Sequence, residues 1–283
     1  MSAPTAMTMD RLGETKQLIL AQSTNQCCRF CCCQPSFNWV LREADNFKGG
    51  NPHDEPNAAW IHEESEWSQR CCIPYCRAAK YVQHSSAIPD AVMKEEDGNW
   101  CSMQREDFPK GLTEEDRNKD IIATHEKPKS CGANCCCFLP YMETKNANGE
   151  VIGKTEFVCD SNCFVPKYDV FDAQGQKKYR VRPDTCVGGA CVRCRCGGEQ
   201  GKCFMIPAIV RDPKTYEPLK GNDGKDNAQL TLLWAGLANA FCTQRDAFHV
   251  VYPDNASPED KLILTGSTIL IDLLQVEHQD SGN

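Results

Sequence analysis

The chain has 283 residues, 41% hydrophobic and 25% charged, with a formal net charge of −8 and 21 cysteines. This suits a globular protein of one large or two small domains. No run of ~18 apolar residues occurs, which excludes an ordinary transmembrane helix, and the net acidity argues against nucleic acid as a partner.

The N-terminus, MSAPTAMTMDRLGETKQLILAQ, has no basic segment followed by a long apolar one and does not read as a secretory signal. Ser2 stands where myristoylation needs glycine. A cytosolic location with reduced thiols is expected, a secreted disulfide scaffold being the alternative. Residues 1–26 read as a tail with one apolar run, Leu18 to Ala21.

A cysteine-rich body begins at Cys27 and extends to residue 283. Its thiols come in runs: Cys27-Cys28, Cys31-Cys32-Cys33, Cys71-Cys72 and Cys135-Cys136-Cys137. Neighbouring cysteines make strained disulfides, whereas clustered accessible thiols suit acylation, where two or more chains anchor stably. Buried, reduced packing is the structural alternative. Between the runs, Phe37, Trp39 and Leu41 alternate, which predicts a strand.

Residues 48–126 read as an irregular acidic insert, rich in turn residues and charge. From Arg42 to Glu126 there are 18 acidic and 10 basic residues, the whole of the net excess.

From Lys129 the pattern predicts antiparallel strands: hairpins around Asn148-Gly149, at Ala173 to Gln176, and around Gly197-Gly198. Such a meander suggests a barrel or sandwich. The last element, KLILTGSTILIDLLQVE, spans about 22 Å as a helix, short of a ~30 Å hydrocarbon core. Asp272 near its middle would be costly in lipid, so burial inside protein is expected.

Two further clusters carry chemistry. Cys186, Cys191, Cys194, Cys196 and Cys203 include a C-x2-C, and with Cys159 and Cys163 could supply a tetrahedral zinc site. Lys177, Lys178, Arg180 and Arg182, with Arg193, Arg195 and Lys202, form a basic stretch that could face anionic headgroups or be a solvated strand face. The six histidines sit in no nucleophile motif, so no covalent catalysis is expected.

Several segments in order resemble the phospholipid scramblases: CCRFCCCQPSFNWVLREADN, SCGANCCCFLPYME, VIGKTEFVCDSNCFVPKYDVFDAQGQKKYRV, CVRCRC, Trp234-Ala235-Gly236 fourteen residues before Phe248, Tyr252-Pro253, and Gly266 with Leu270-Ile271-Asp272. The resemblance covers roughly Lys129 to Glu277 and Cys27 to Asn46. It implies a mainly β fold, an antiparallel β-barrel of the tubby-like kind around a C-terminal apolar helix.

It implies as activity the ATP-independent, bidirectional movement of phospholipids between leaflets, often calcium-triggered. It implies covalent palmitate on Cys135, Cys136 and Cys137, with Cys27, Cys28, Cys31, Cys32 and Cys33 as further candidates. Phospholipids at a membrane surface would be the partners, on the cytosolic face of the plasma membrane or an endomembrane.

A calcium site would fall at Asp246, Asp254 and Asn255, but Gln244 and Asn255 replace the acidic residues expected at the two ends of the loop. Only 26 residues precede Cys27, where the family has several strands; the barrel would be incomplete, or completed by the insert. A non-catalytic, lipid-anchored module of the same fold, or a zinc-stabilised structural protein, is the alternative.

Overall fold

The computed structural model describes residues 6–22, 38–45, 47, 56–66, 68–69, 77–88, 113–130, 139–159, 165–184, 205–224, 226–233 and 247–280. Twelve strands close into an antiparallel barrel in sequence order: β1 Gln17–Gln22, β2 Trp39–Glu43, β3 Asn57–Glu64, β4 Ala79–His84, β5 Ile121–Lys127, β6 Tyr141–Asn146, β7 Val151–Val158, β8 Lys167–Asp172, β9 Lys177–Pro183, β10 Met205–Arg211, β11 Gln229–Leu233 and β12 Ala247–Val251. Closure comes from β1 pairing with β12, Leu20 opposite Phe248. Among the described residues, three helices with full bounds accompany the barrel: α1 Met9–Glu14, α2 Glu114–Asn118 and α3 Pro258–Asp280. The expected barrel around a C-terminal helix is what the chain forms.

Two local expectations need correction. The segment read as a tail contains α1 and the barrel strand β1. The segment read as an irregular insert contains β3, β4 and nearly all of β5. Both misreadings have one cause. A strand buried on one face alternates, but β1 is buried throughout: Leu18 and Leu20 face the main core, while Ile19 and Ala21 pack outside with Ala44, Phe47, Leu233 and Ala247. β3 does the same, Ala59 and Ile61 inward and Trp60 outward against Val40 and Ile88. Period-2 patterning vanishes when both faces are covered. The insert thus supplies the strands that complete the barrel.

The hairpins around Asn148-Gly149 and at Ala173 to Gln176 form as expected and share one device. The Asn146 carboxamide oxygen accepts the N–H groups of Asn148 (2.9 Å) and Glu150 (3.0 Å). The Asp172 carboxylate accepts those of Gln174 (3.0 Å) and Gln176 (2.8 Å). Each loop then closes through a glycine in the left-handed region, Gly149 at φ 82° and Gly175 at φ 73°. The hairpin expected around Gly197-Gly198 lies outside the described residues.

Because neighbouring strands are antiparallel, the barrel has two distinct ends. β1, β3, β5, β7, β9 and β11 finish at the upper end; β2, β4 and the other even-numbered strands finish at the lower end. β12 runs downward, so α3 enters from below and rises through the lumen.

Candidate functional site

The lumen holds α3 and is built around it. Leu262, Ile263, Leu264, Ile269, Leu270, Ile271, Leu273 and Leu274 are all buried in the main core. Each fully buried aliphatic side chain contributes about 2 kcal/mol, so apolar burial seats the helix. Its polar residues are matched individually. Thr265, Ser267 and Thr268 donate to the carbonyls four residues back, each at 2.9 Å, and the Ser267 hydroxyl also bonds that of Thr155 on β7 at 2.7 Å. The Trp39 indole N–H donates to Asp272 at 3.2 Å. The carboxylate that would be costly in lipid therefore has a partner on the barrel wall.

At the lower mouth, Asp260 caps α3. Its carboxylate accepts the Ser257 N–H (3.1 Å), the Tyr179 hydroxyl (3.1 Å) and the Lys178 ammonium (2.6 and 2.7 Å). The next residue, Lys261, is fully buried. Its ammonium donates to the carbonyls of Leu12 (2.9 Å), Gly13 (2.7 Å) and Thr15 (2.8 Å). These lie at the end of α1, where helical carbonyls lack partners and a cation is favoured. α1 thus closes the lower mouth and α3 grips it. Desolvation lowers the Lys261 pKa.

Close approach of α3 to the wall depends on Gly266. A Cβ there would lie 2.7 Å from Nδ1 of His125 and 2.8 Å from the Thr144 hydroxyl. His125 is fully buried, and burial lowers its pKa to about 3. A neutral ring satisfies both contacts: Nε2–H donates to the Gln83 side-chain carboxamide oxygen (3.0 Å), and Nδ1 accepts from the Thr144 hydroxyl (3.1 Å).

The predicted headgroup cations are brought together on one strand but are largely committed. Arg180 makes a two-pronged pair with Asp169 on β8 (2.7 and 2.9 Å), and Lys177 joins the same carboxylate at 2.6 Å. Lys178, the extra residue at a strand irregularity, turns instead to Asp260. Arg182 is half-buried beside them, its Nε without a hydrogen-bond partner.

A cleft of about 470 Å³ opens at the upper end, lined by Glu64, Lys80, Glu126, Lys127, Tyr141 and Glu143 among others. A histidine chain leads to it along the outside of β3 and β4. His84 Nδ1–H donates to the Lys119 carbonyl at 2.7 Å, and His84 Nε2 lies 3.0 Å from His62 Nδ1. His62 Nε2 lies 3.4 Å from the Glu64 carboxylate. Trp60 stacks on His84, ring centres 3.9 Å apart and nearly parallel. Burial lowers both histidines, His84 to about 4. His62 leads in holding Glu64 down at about 2, aided by Lys80. Sequence reasoning passed over this group by assigning its histidines to an irregular insert; the available signal was the W-x-H spacing of Trp60 and His62, which puts two rings on one face of a strand.

The other predicted positions are quickly placed. Cys27, Cys28, Cys31, Cys32, Cys33, Cys135, Cys136, Cys137, Cys186, Cys191, Cys194, Cys196 and Asp246 lie outside the described residues. Asp254 and Asn255 follow β12, the Asp254 N–H donating to the Lys220 carbonyl at 3.1 Å. The middle of the segment between Gln244 and Asn255 is strand rather than loop, with Ala247 to Val251 paired on both sides. Among the described residues, no three His, Cys, Asp or Glu side chains are grouped to hold a metal, and no helix is long and apolar enough to cross a membrane.

The family model described as Scramblase matches residues 60–278, from β3 to near the end of α3. No solved structure matches the chain.

Proposed function

The chain belongs to the scramblase family, and on that premise we propose that it moves phospholipids between the leaflets of a membrane without ATP and without covalent chemistry. The family match over residues 60–278 carries this reading. The chemical task is to lower the barrier to a polar headgroup entering hydrocarbon. With α3 filling the lumen, the headgroup path lies outside the barrel wall. Palmitate on Cys135, Cys136 and Cys137, and on Cys27 to Cys33, would hold the chain at the cytosolic face of the plasma membrane or an endomembrane, since one acyl chain gives only marginal binding and two or more a stable anchor.

The test is lipid flip in reconstituted vesicles, with calcium and with a chelator. Acceleration over protein-free vesicles is expected, and its dependence on the added ion reads out the calcium link. No acceleration under either condition rejects the activity. Alkynyl fatty-acid labelling that falls in the C135S/C136S/C137S variant would locate the anchor.

A second reading, a non-catalytic lipid-anchored module, is favoured by two observations: α3 is enclosed by the barrel, bonded to its wall through Asp272 and to the end of α1 through Lys261, and Lys177, Lys178 and Arg180 are already ion-paired. Membrane-bound, labelled protein with no flip activity is its signature.

A further inference from the structure

We propose that Trp60, His62, His84 and Glu64 form a proton-binding site at the rim of the upper cleft: with the proton bound, His62 holds Glu64, and without it the two part. The observation is a count of hydrogens. Three polar contacts run along the row: His84 Nδ1 to the Lys119 carbonyl (2.7 Å), His84 Nε2 to His62 Nδ1 (3.0 Å) and His62 Nε2 to the Glu64 carboxylate (3.4 Å). Each needs a hydrogen between its two heavy atoms, since the carbonyl and the carboxylate only accept. Two neutral imidazoles carry one ring hydrogen each. Whichever tautomers they adopt, one contact sets two acceptors against each other. The Lys119 and His–His contacts are the shorter, so the two hydrogens belong there and the deficit falls between His62 and Glu64. A third proton, on His62 Nε2, removes the deficit and makes a charge-assisted bond. It belongs on the imidazole, because Lys80, 2.8 Å from the Glu64 carboxylate, keeps that group ionised.

The surroundings favour the loaded form. His62 is fully buried, so its lone pair cannot turn to water instead. Trp60 lies flat on His84, ring centres 3.9 Å apart, and 5.2 Å from His62, which places an aromatic face beside the charge. Among the described residues the nearby charges balance: Glu64, Asp116 and Asp120 against Lys80, Arg117 and Lys119. The other neighbours are uncharged, Val40 of β2 and Ile88 against Trp60, and Ile121 and Thr124 of β5 opposite His84 and Val82. Neither sign prevails around the pair, so direct contact with Glu64 decides. Burial pulls both rings toward the neutral form. The unmatched contact pulls His62 the other way, while His84, beside a charged ring, stays neutral. When the proton leaves, two acceptors face each other and Lys80 alone holds Glu64. Both residues line the cleft, so the placement of charge there follows pH.

The test is nuclear magnetic resonance of the full-length protein, isotopically labelled at the histidine ring nitrogens and assigned by through-bond correlation, over a series of pH values. At about pH 6, near the ordinary histidine value, His62 shows both ring nitrogens protonated, whereas His125 and His249, held neutral until about pH 3 and about pH 4, show one. The backbone amides of Glu64 and Lys80 shift with the His62 midpoint. In Glu64→Gln that midpoint falls by about two pH units, because the carboxamide both removes the negative charge and donates the missing hydrogen to Nε2. Glu126→Gln, in the same cleft but off the row, leaves the midpoint in place. A neutral His62 at about pH 6, amides of Glu64 and Lys80 that do not follow the titration, or a midpoint unmoved in Glu64→Gln overturns the proposal. The parent protein alone can reject it, whether or not a variant folds, and the result is independent of whether lipid is moved.

Discussion

Gly153→Ala destabilises the barrel by about 3 kcal/mol, the upper part of the range for overpacking a filled core. A Cβ at this β7 position would lie 2.4 Å from Cδ1 of Ile263 on α3 and 2.5 Å from the Phe171 carbonyl oxygen on β8. The isoleucine could turn aside, but the carbonyl belongs to a strand fixed by its ladder, with Gly153 opposite Asp172. Relief therefore requires the wall or the helix to move. Gly149→Ala is the matched control. Its Cβ would meet nothing within 4 Å, and only the φ of 82° is at stake, a cost of about 1 kcal/mol. Urea unfolding of the two variants should separate them clearly. If Gly153→Ala is as stable as the parent, α3 does not lie against β7 and the filled lumen is wrong.

The second large effect is acid sensitivity centred on His125. The unfolded ring takes up its proton near pH 6.5, whereas the folded ring resists until about pH 3. The unfolded state thus binds the proton first as pH falls. The stabilisation is fully present above pH 6.5 and is lost progressively on the way down to 3. Between pH 7 and pH 4 this one residue removes roughly 3 kcal/mol. His84 and His249, each lowered to about 4 by burial, add losses of the same sign. Unfolding free energy measured at a series of pH values should fall steeply over this window. In His125→Gln the fall should be shallower by about the His125 share. An unchanged slope in that variant would assign the sensitivity to other groups.

Legibility from sequence followed burial geometry. Strands β6 to β9 announced themselves because Asn148-Gly149 and the Asp172 to Gln176 loop mark their turns, and in β6, β7 and β9 one strand face is left partly to solvent. β1, β3 and β4 were hidden because residues such as Ile19, Trp60 and His84 are covered on the outside as well. α3 was placed correctly by its length and by Asp272, and the wall residue that answers Asp272 proved to be Trp39, 233 positions away, a pairing no local pattern encodes. The basic strand was visible as a charge run, yet its carboxylate partners come from β8 and from α3. Whether a lysine is available to a headgroup is a tertiary property, and Lys178 is bound because a strand irregularity turns it toward Asp260.

The threading of α3 through the lumen also sets an order of events. Every strand of the barrel precedes the helix in the chain, and β1 cannot find β12 until the chain has been made as far as Val251. A growing chain therefore holds eleven strands with two open edges and an unfilled apolar interior. Such edges and surfaces are the usual routes to misassembly, and contacts this distant in sequence form slowly. The barrel and its filling would have to form together, late, and as one cooperative step.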